Sequence, residues 1–453
     1  MKSFYVTGIA LIASLGGLLF GFDTAVISGA EKDIQQLYHL SNFWHGFTVA
    51  ITLIGTVVGA MGAGKPADIL GRKKVLFAIA FLYAVSALGC ALAQSWISFI
   101  LFRFLGGLSV GASSVVGPMY IAEIAPAKMR GRLVGSFQLN IVTGILLSYI
   151  SNYFIAQIVE VDAWRWMLGV QCIPAIIFFI LVFIIPDSPR WLVIRNKIPE
   201  AKALLVKLGS PDPEEELEDI VESVRGKEGV GREKLFSASH RFPIILAILV
   251  AVFNQMSGIN AIMYYAPRIF EMVGYAKDSA LLQSISVGIT LTAFTVVGMA
   301  LIDTMGRKRL LMIGSIGMMF FLGMVSKTIF TTSDGSVWML VYMIGYIAFF
   351  AFTQGTVIWV FISEIFPNTV RARGQTLGSL THWTMTIVIS WLFPVISGLG
   401  SYGGGTAFAV FSVAMALQFI IVWRYFPETR GKSLEELQKQ FVSLNNSHVS
   451  KHP

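Results

Sequence analysis

Asp23 is a carboxylate within "GGLLFGFDTAVISG", the stretch from Gly16 to Gly29, in an apolar run from Phe4 to Ala30 long enough to cross a bilayer. An ionisable side chain at membrane depth costs roughly 2.5–3.5 kcal/mol on insertion scales, so it turns to the bundle interior and finds a partner. Arg103 is the candidate. Asp23 precedes the outer end of its span by about six residues and Arg103 follows the outer start of its own by about six, so at about 1.5 Å per residue both lie roughly 9 Å below one face. Such a pair could carry a proton if the balance between burial and the guanidinium charge changes as a cavity opens. It could equally be a fixed ion pair that only joins two helices.

A second group of charges lies at the opposite ends of the spans. "DILGRKK" supplies Asp68 and Arg72, "EIAPAKMR" supplies Glu123 and Arg130, "DTMGRKR" supplies Asp303 and Arg307, and "EIFPNTVR" supplies Glu364 and Arg371. Carboxylates beside guanidinium groups on neighbouring helices could form latches that break when that side opens. They could also be topology signals with helix caps. No HExxH, no paired catalytic carboxylates and no nucleotide-binding glycine loop occurs, so an enzyme is not expected. His39, His45, His240, His382, His448 and His452 have no metal-ligand spacing inside a span, and no metal or cofactor is expected beyond a coupling proton.

The elements that must position these groups are membrane helices. Hydrophobic residues make up 55% of the 453 and charged ones 13%, with a mean hydropathy of +0.70, which excludes a soluble domain of any size. Apolar runs fall at 5–29, 45–65, 75–94, 97–122, 133–157 and 166–186, then at 243–272, 279–302, 309–330, 336–365, 374–398 and 404–426. The first run is read as a retained span, since it lacks a small-residue cleavage pattern. Cys90 and Cys172 lie inside spans as packing residues. The net charge of +8 comes from residues beside the spans, as in loops that face the cytoplasm, and does not indicate nucleic acid. Arg72, Lys73, Lys74, Lys128, Arg130, Arg132, Arg307, Lys308, Arg309, Arg371 and Arg373 set this orientation, with both termini cytoplasmic.

The chain divides into a six-helix half (1–186), a polar linker of short amphipathic helices (187–242), a second six-helix half (243–427) and a tail (428–453). Ser433 with Glu436 forms a capping box that should open a helix in the tail. The halves repeat. Glu123 and Glu364, Pro126 and Pro367, Arg130 and Arg371, and Pro186 and Pro427 each recur at one offset of 241 residues, and Asp68 and Asp303 at 235. Six spans per half give both halves the same membrane orientation, the parallel repeat of alternating-access transporters.

"GKPADILGRKK", "RFLGGLSVG", "PMYIAEIAPAKMRG", "PDSPRW", "NQMSGINAIMYYAP", "DTMGRKR", "WVFISEIFP" and "PETRGKSLEE" together resemble the sugar porter family of the major facilitator superfamily, in order and over nearly the whole chain. The resemblance implies an all-α fold of twelve transmembrane helices in two six-helix halves, with a sugar held between them by amides and aromatic rings. Amides donate and accept without charge, and a ring packs on the apolar face of a pyranose. Carried over residue by residue, it implies Gln138, Gln255, Asn260 and Trp359 as ligands and Phe20, Tyr265 and Trp383 as pocket walls. An amide in a span could instead simply bond a neighbouring helix.

Gln255 and Asn260 lie about 140° apart on an ideal helix, so either the helix breaks near Gly258 or the cavity wraps around it. There are departures from the family pattern. Asn254 stands where a glutamine is usual, Leu291 replaces an asparagine, His382 a Gln or Asn, Thr386 a further Asn, and Gly355-Thr356 a Gly-Pro. His382 could bond a sugar hydroxyl directly or a neighbouring helix.

In the proton-coupled bacterial members of the family an aspartate at the position of Asp23 takes the proton, whereas passive facilitators carry a neutral residue there. The expectation is a proton-coupled monosaccharide symporter in a cell membrane, working by alternating access, monomeric and surrounded by lipid. A passive facilitator and a transporter-like sugar sensor are the alternatives.

Overall fold

The computed structural model describes residues 2–126, 129–225, 235–237, 240–331, 337–367, 369–400 and 402–431. The tail helix expected from Ser433 and Glu436, and Lys128 among the loop charges, lie outside the described residues. All regular elements among the described residues are helices. The first six spans contain α1 (Lys2–Leu37), α2 (Asn42–Gly62), α3 (Gly64–Leu70), α4 (Arg72–Leu92), α5 (Trp96–Ile124), α6 (Arg130–Ile158), α7 (Ala163–Gly169) and α8 (Cys172–Val182). Then come α9 (Pro189–Ile194), α10 (Ile198–Leu208) and α11 (Pro213–Arg225). The remainder contains α12 (Arg241–Met256), α13 (Ile259–Glu271), α14 (Lys277–Met305), α15 (Arg307–Thr331), α16 (Val337–Phe352), α17 (Gln354–Glu364), α18 (Arg371–Ser397) and α19 (Gly403–Tyr425).

Among the described residues twelve segments are long and apolar enough to cross a membrane, and they coincide with the twelve apolar runs of the sequence. The first is longer than the apolar run, continuing to Leu37, because Ala30–Leu37 contains helix formers and neither Gly nor Pro. Three spans are each built from two helices, with breaks at Val170–Gln171, Ser257–Gly258 and Thr353.

The described residues form two compact units, one from Met1–Ser41 and Phe47–Val230, the other from Asn42–Gly46 and Gly231–Pro453. In the first, α1 and α6 pack through small residues: a Cβ on Gly21 would collide with the Ile141 carbonyl and one on Gly144 with the Leu18 carbonyl. Without water to drive helices together, such backbone approach is what makes van der Waals packing strong. The glycines around Asp23 thus bring α6 against α1. The linker helices belong to this unit: Ala201, Leu204 and Leu208 of α10 join its core, and Leu217, Ile220 and Val221 of α11 pack against it. Their apolar faces follow the helical period, so they bury on the bundle instead of standing apart as a separate domain. In the second unit, Leu310, Phe361, Phe366 and Phe426 centre a core of α12, α15, α17 and the segment after α19.

Candidate transport site

Asp23 of α1 and Arg103 of α5 meet at depth in the first unit: Arg103 Nη1 donates to Asp23 Oδ1 at 3.0 Å, and the two residues are 1% and 2% exposed. The contact is single. Asp23 Oδ2, Arg103 Nε and Arg103 Nη2 have no hydrogen-bond partner among the described residues. A buried pair with one bond recovers only part of its desolvation cost. Gln138 of α6 is half-buried and its amide makes no hydrogen bond among the described residues, leaving both ends open to a ligand. Phe20 is half-buried on α1, three residues before Asp23, and rests on the core of that unit.

The second unit holds an amide cluster, which the break in the seventh span assembles. Gly258 has φ +81°, a left-handed conformation that halts α12 and restarts the chain as α13 in a new direction. Across that break Asn260 Nδ2 donates to Gln255 Oε1 at 2.6 Å, although an unbroken helix would point the two apart. Gln255 Nε2 faces Asn254 Oδ1 at 3.0 Å and His382 Nδ1 at 3.2 Å. The amide can donate only to a ring nitrogen that carries no proton. The Trp359 ring, 39% exposed, lies 4.9 Å from the His382 ring, and Trp383 meets the same imidazole edge-on at 5.4 Å. Three amides, an imidazole and an exposed indole therefore cluster here, with Asn254 and Gln255 buried at 2% and 0% exposure behind the others, the chemistry that a neutral polyol requires.

Tyr265 differs from its expected place in a pocket wall. It is 0% exposed, its hydroxyl donates to the Ser390 carbonyl at 3.0 Å and its ring lies 5.3 Å from that of Phe393. α13 is enclosed on every side, with Ala261, Ile262, Met263, Tyr264, Ala266 and Pro267 buried as well, and its backbone departs from helical geometry at Tyr265 with φ −128° and ψ 21°. Of the substituted positions, Asn254 and His382 join the cluster, whereas Leu291 and Thr386 offer it no polar arm. Leu291 is buried, and the Thr386 hydroxyl is used on its own helix, at the His382 carbonyl 2.8 Å away.

Two residues absent from the sequence reading stand behind Asn254. Asn254 Nδ2 donates to the Gln354 carbonyl at 3.4 Å, and Gln354 Nε2 donates to Gln418 Oε1. Both glutamines are 1% exposed. A lone glutamine in an apolar run was the available signal.

Each unit closes an ion-pair network at the end of its helices. Arg72 Nη2 reaches Glu123 Oε1 at 2.9 Å and Asp68 Oδ1 at 3.0 Å, and Ser188 donates to Glu123 Oε2 at 2.5 Å. In the second unit Arg307 holds Glu364 at both oxygens, Nη2 to Oε1 at 2.7 Å and Nε to Oε2 at 3.1 Å, while Thr429 donates to Glu364 Oε2 at 2.6 Å. Asp303 is 3.3 Å from Arg307 but 81% exposed, so it adds little. Glu428 accepts from the backbone of Arg307 and Lys308, capping α15.

Ser188 and Thr429 are related by the same 241-residue offset as Glu123 and Glu364, which was the signal for them. Arg130 and Arg371, expected in these networks, pair with no carboxylate among the described residues. Arg130 is exposed at the start of α6, and Arg371 Nε, at the start of α18, turns back to the Phe366 carbonyl at 3.4 Å. In each unit the central arginine already occupies the carboxylate they would need.

A sequence profile of the sugar (and other) transporter family matches residues 9–441. The chain is 36% identical to the arabinose-proton symporter of Bacillus subtilis (strain 168) over 444 residues, covering 97% of this chain and 95% of that protein. It is also 36% identical to the D-xylose-proton symporter of Escherichia coli (strain K12) over 477 residues, covering 96% of each. The inward-open structure of the xylose transporter XylE from E. coli matches with a TM-score of 0.85 at 34% identity, covering 96% of this chain and all of that one. Twelve apolar helices, the repeated charge networks and these likenesses together make the chain a multi-pass membrane protein that belongs to the sugar transporter family of the major facilitator superfamily.

Proposed function

We propose that the protein is a proton-coupled monosaccharide symporter that works by alternating access. The observation that carries this reading is the buried, singly bonded pair of Asp23 and Arg103, a carboxylate with one oxygen still unpartnered at membrane depth. A proton on Asp23 would cancel its charge and release Arg103, so the two charge states favour different helix packings. The two relatives named as sugar-proton symporters support the same assignment.

Gln138, Asn254, Gln255, Asn260 and His382 are the polar groups for the sugar hydroxyls, with Phe20, Trp359 and Trp383 as apolar walls and Tyr265 behind them. The networks of Arg72 with Glu123 and of Arg307 with Glu364 face the cytoplasm, as do both termini, and rearrange as that side opens. A cell membrane is the setting, and the monomer is the transporting unit because the internal repeat supplies both halves of the machinery.

Purified protein in vesicles with an imposed pH gradient tests the assignment, with radiolabelled xylose and arabinose as substrates. The wild-type protein should accumulate sugar against its gradient and alkalinise the side from which sugar is taken. Asp23→Asn should lose accumulation while still exchanging labelled for unlabelled sugar. Unchanged active accumulation in Asp23→Asn would show that the pair only fixes packing.

A further inference from the structure

The buried polar atoms near Asp23 do not stop at Arg103. Tyr83 Oη on α4 and Ser113 Oγ on α5 lie beside each other, with no further hydrogen-bond partner among the described residues, and both residues are 0% exposed. Together with Asp23 Oδ2, Arg103 Nε and Arg103 Nη2 they form a group of buried polar atoms with unused hydrogen-bonding capacity inside one unit. Buried polar atoms are normally satisfied by protein or water, so the unused capacity calls for an explanation.

Their heights on three helices place them in a line. A Cβ on Gly106 would lie 3.6 Å from Asp23 Oδ1 and 2.5 Å from Ser86 Oγ, which puts Asp23, Gly106 and Ser86 at one level. A Cβ on Gly16 would collide with Ser113 Oγ, which marks a second level. Gly16 lies seven residues from Asp23 on α1, and Ser113 seven from Gly106 on α5, about 10 Å in each case. Tyr83 precedes Ser86 by three residues, so it falls between the levels, within electrostatic reach of Asp23 and beside the Ser113 hydroxyl. α4 begins at Arg72, so the line descends from Asp23 toward the end of the unit that holds Arg72 and Glu123. The other nearby groups are committed or lie elsewhere. Ser86 donates to the Phe102 carbonyl at 2.7 Å, and Cys90 is a turn farther along α4 in the opposite direction.

We infer that Tyr83 and Ser113 extend Asp23 into a hydrated proton-transfer line within the first unit, leading toward the Arg72 end. The inference rests on Asp23 being the proton carrier. The protonated Asp23 gives its proton to a water. Each water or hydroxyl along the line hands on its own proton as it accepts one, so Asp23 is left as the carboxylate and every hydroxyl is restored. Water is suited to this place because two to four polar partners hold a buried molecule, and these buried atoms supply them. The proton would then leave by a path lined by residues other than those assigned to the sugar.

Tyr83→Phe and Ser113→Ala each remove one hydroxyl and keep the packing shape. In vesicles, sugar-dependent proton influx is followed with a pH-sensitive dye and compared with labelled-sugar exchange at equal pH. The ratio of proton influx to exchange should fall roughly a hundredfold in each variant, the lower end of a general acid–base effect. Wild-type proton influx in both variants, with Asp23→Asn inactive in the same assay, would overturn the line and leave Asp23 as carrier. Undiminished influx in Asp23→Asn would instead overturn the carrier assignment. An equal fall of influx and exchange in Tyr83→Phe and Ser113→Ala would reduce both hydroxyls to packing and overturn the line as well.

Discussion

Asn260 Nδ2 lies 2.6 Å from Gln255 Oε1, although the chain between them passes through a left-handed glycine, Gly258. With Gln255 Nε2 turned to Asn254 and His382, both ends of that amide are occupied. A sugar hydroxyl that reaches Gln255 must replace a bond already made, so the site trades polar partners on binding instead of gaining them outright.

Asn260→Ala should therefore weaken sugar binding about fivefold, the equivalent of about 1 kcal/mol for one net hydrogen bond. Equilibrium binding of radiolabelled xylose and arabinose to purified protein measures it. Unchanged affinity for both sugars would count against the amide cluster as the site.

At Gly258 a side chain meets two obstacles. The φ of +81° disfavours any L-residue, by roughly 1–2 kcal/mol, and a Cβ would run into the Phe411 ring. Gly258→Ala should lower thermal stability in detergent and depress sugar transport together. Adding Phe411→Ala should relieve the collision but not the backbone cost, giving partial recovery. Full recovery would show that the left-handed conformation is dispensable.

The two charge networks are related by the repeat but differ in strength. Glu364 takes two guanidinium bonds from Arg307, whereas Glu123 takes one from Arg72. Charge-assisted bonds contribute roughly 1.5–3 kcal/mol each, so Glu364→Gln should destabilise more than Glu123→Gln. Distance measurements between spin labels at the helix ends should show a larger population shift for Glu364→Gln. Equal stability and equal populations would contradict the asymmetry.

Gln354 and Gln418 share a buried bond, and Gln354 Oε1 has no partner. Truncating one glutamine leaves the other with a further unsatisfied group, whereas replacing both by apolar residues does not. Gln354→Leu combined with Gln418→Leu should unfold at a higher temperature than Gln418→Leu alone. Additive losses in the cycle of variants would refute coupling between the two.

The twelve spans, the repeat and the pairing of Asp23 with Arg103 were legible in the chain because each depends on one-dimensional quantities: runs of apolar residues, a constant offset, and depth counted at a fixed rise per residue. The break at Gly258 was legible as one of two alternatives for a similar reason, since two site amides could not share a face of an unbroken helix. Ser188 and Thr429 lay within the repeated motifs, and the offset alone could have singled them out.

What only the tertiary structure decided is which group each polar atom meets. Tyr265 is interior because α13 is enclosed on every side, its neighbours from Ala261 to Pro267 all being buried, which periodicity alone does not record. Arg130 and Arg371 carry the same charge as Arg72 and Arg307, but a carboxylate has two oxygens, and hydroxyls from distant segments share them with the arginine already in place. The placement of Tyr83 and Ser113 near Asp23 depends on the relative heights of α4 and α5, which follow one another, and of α1, which lies well before them in the chain. Sequence order sets which residues lie at membrane depth; three-dimensional packing sets their partners, because a hydrogen bond is decided within a few tenths of an ångström across helices that share no common register.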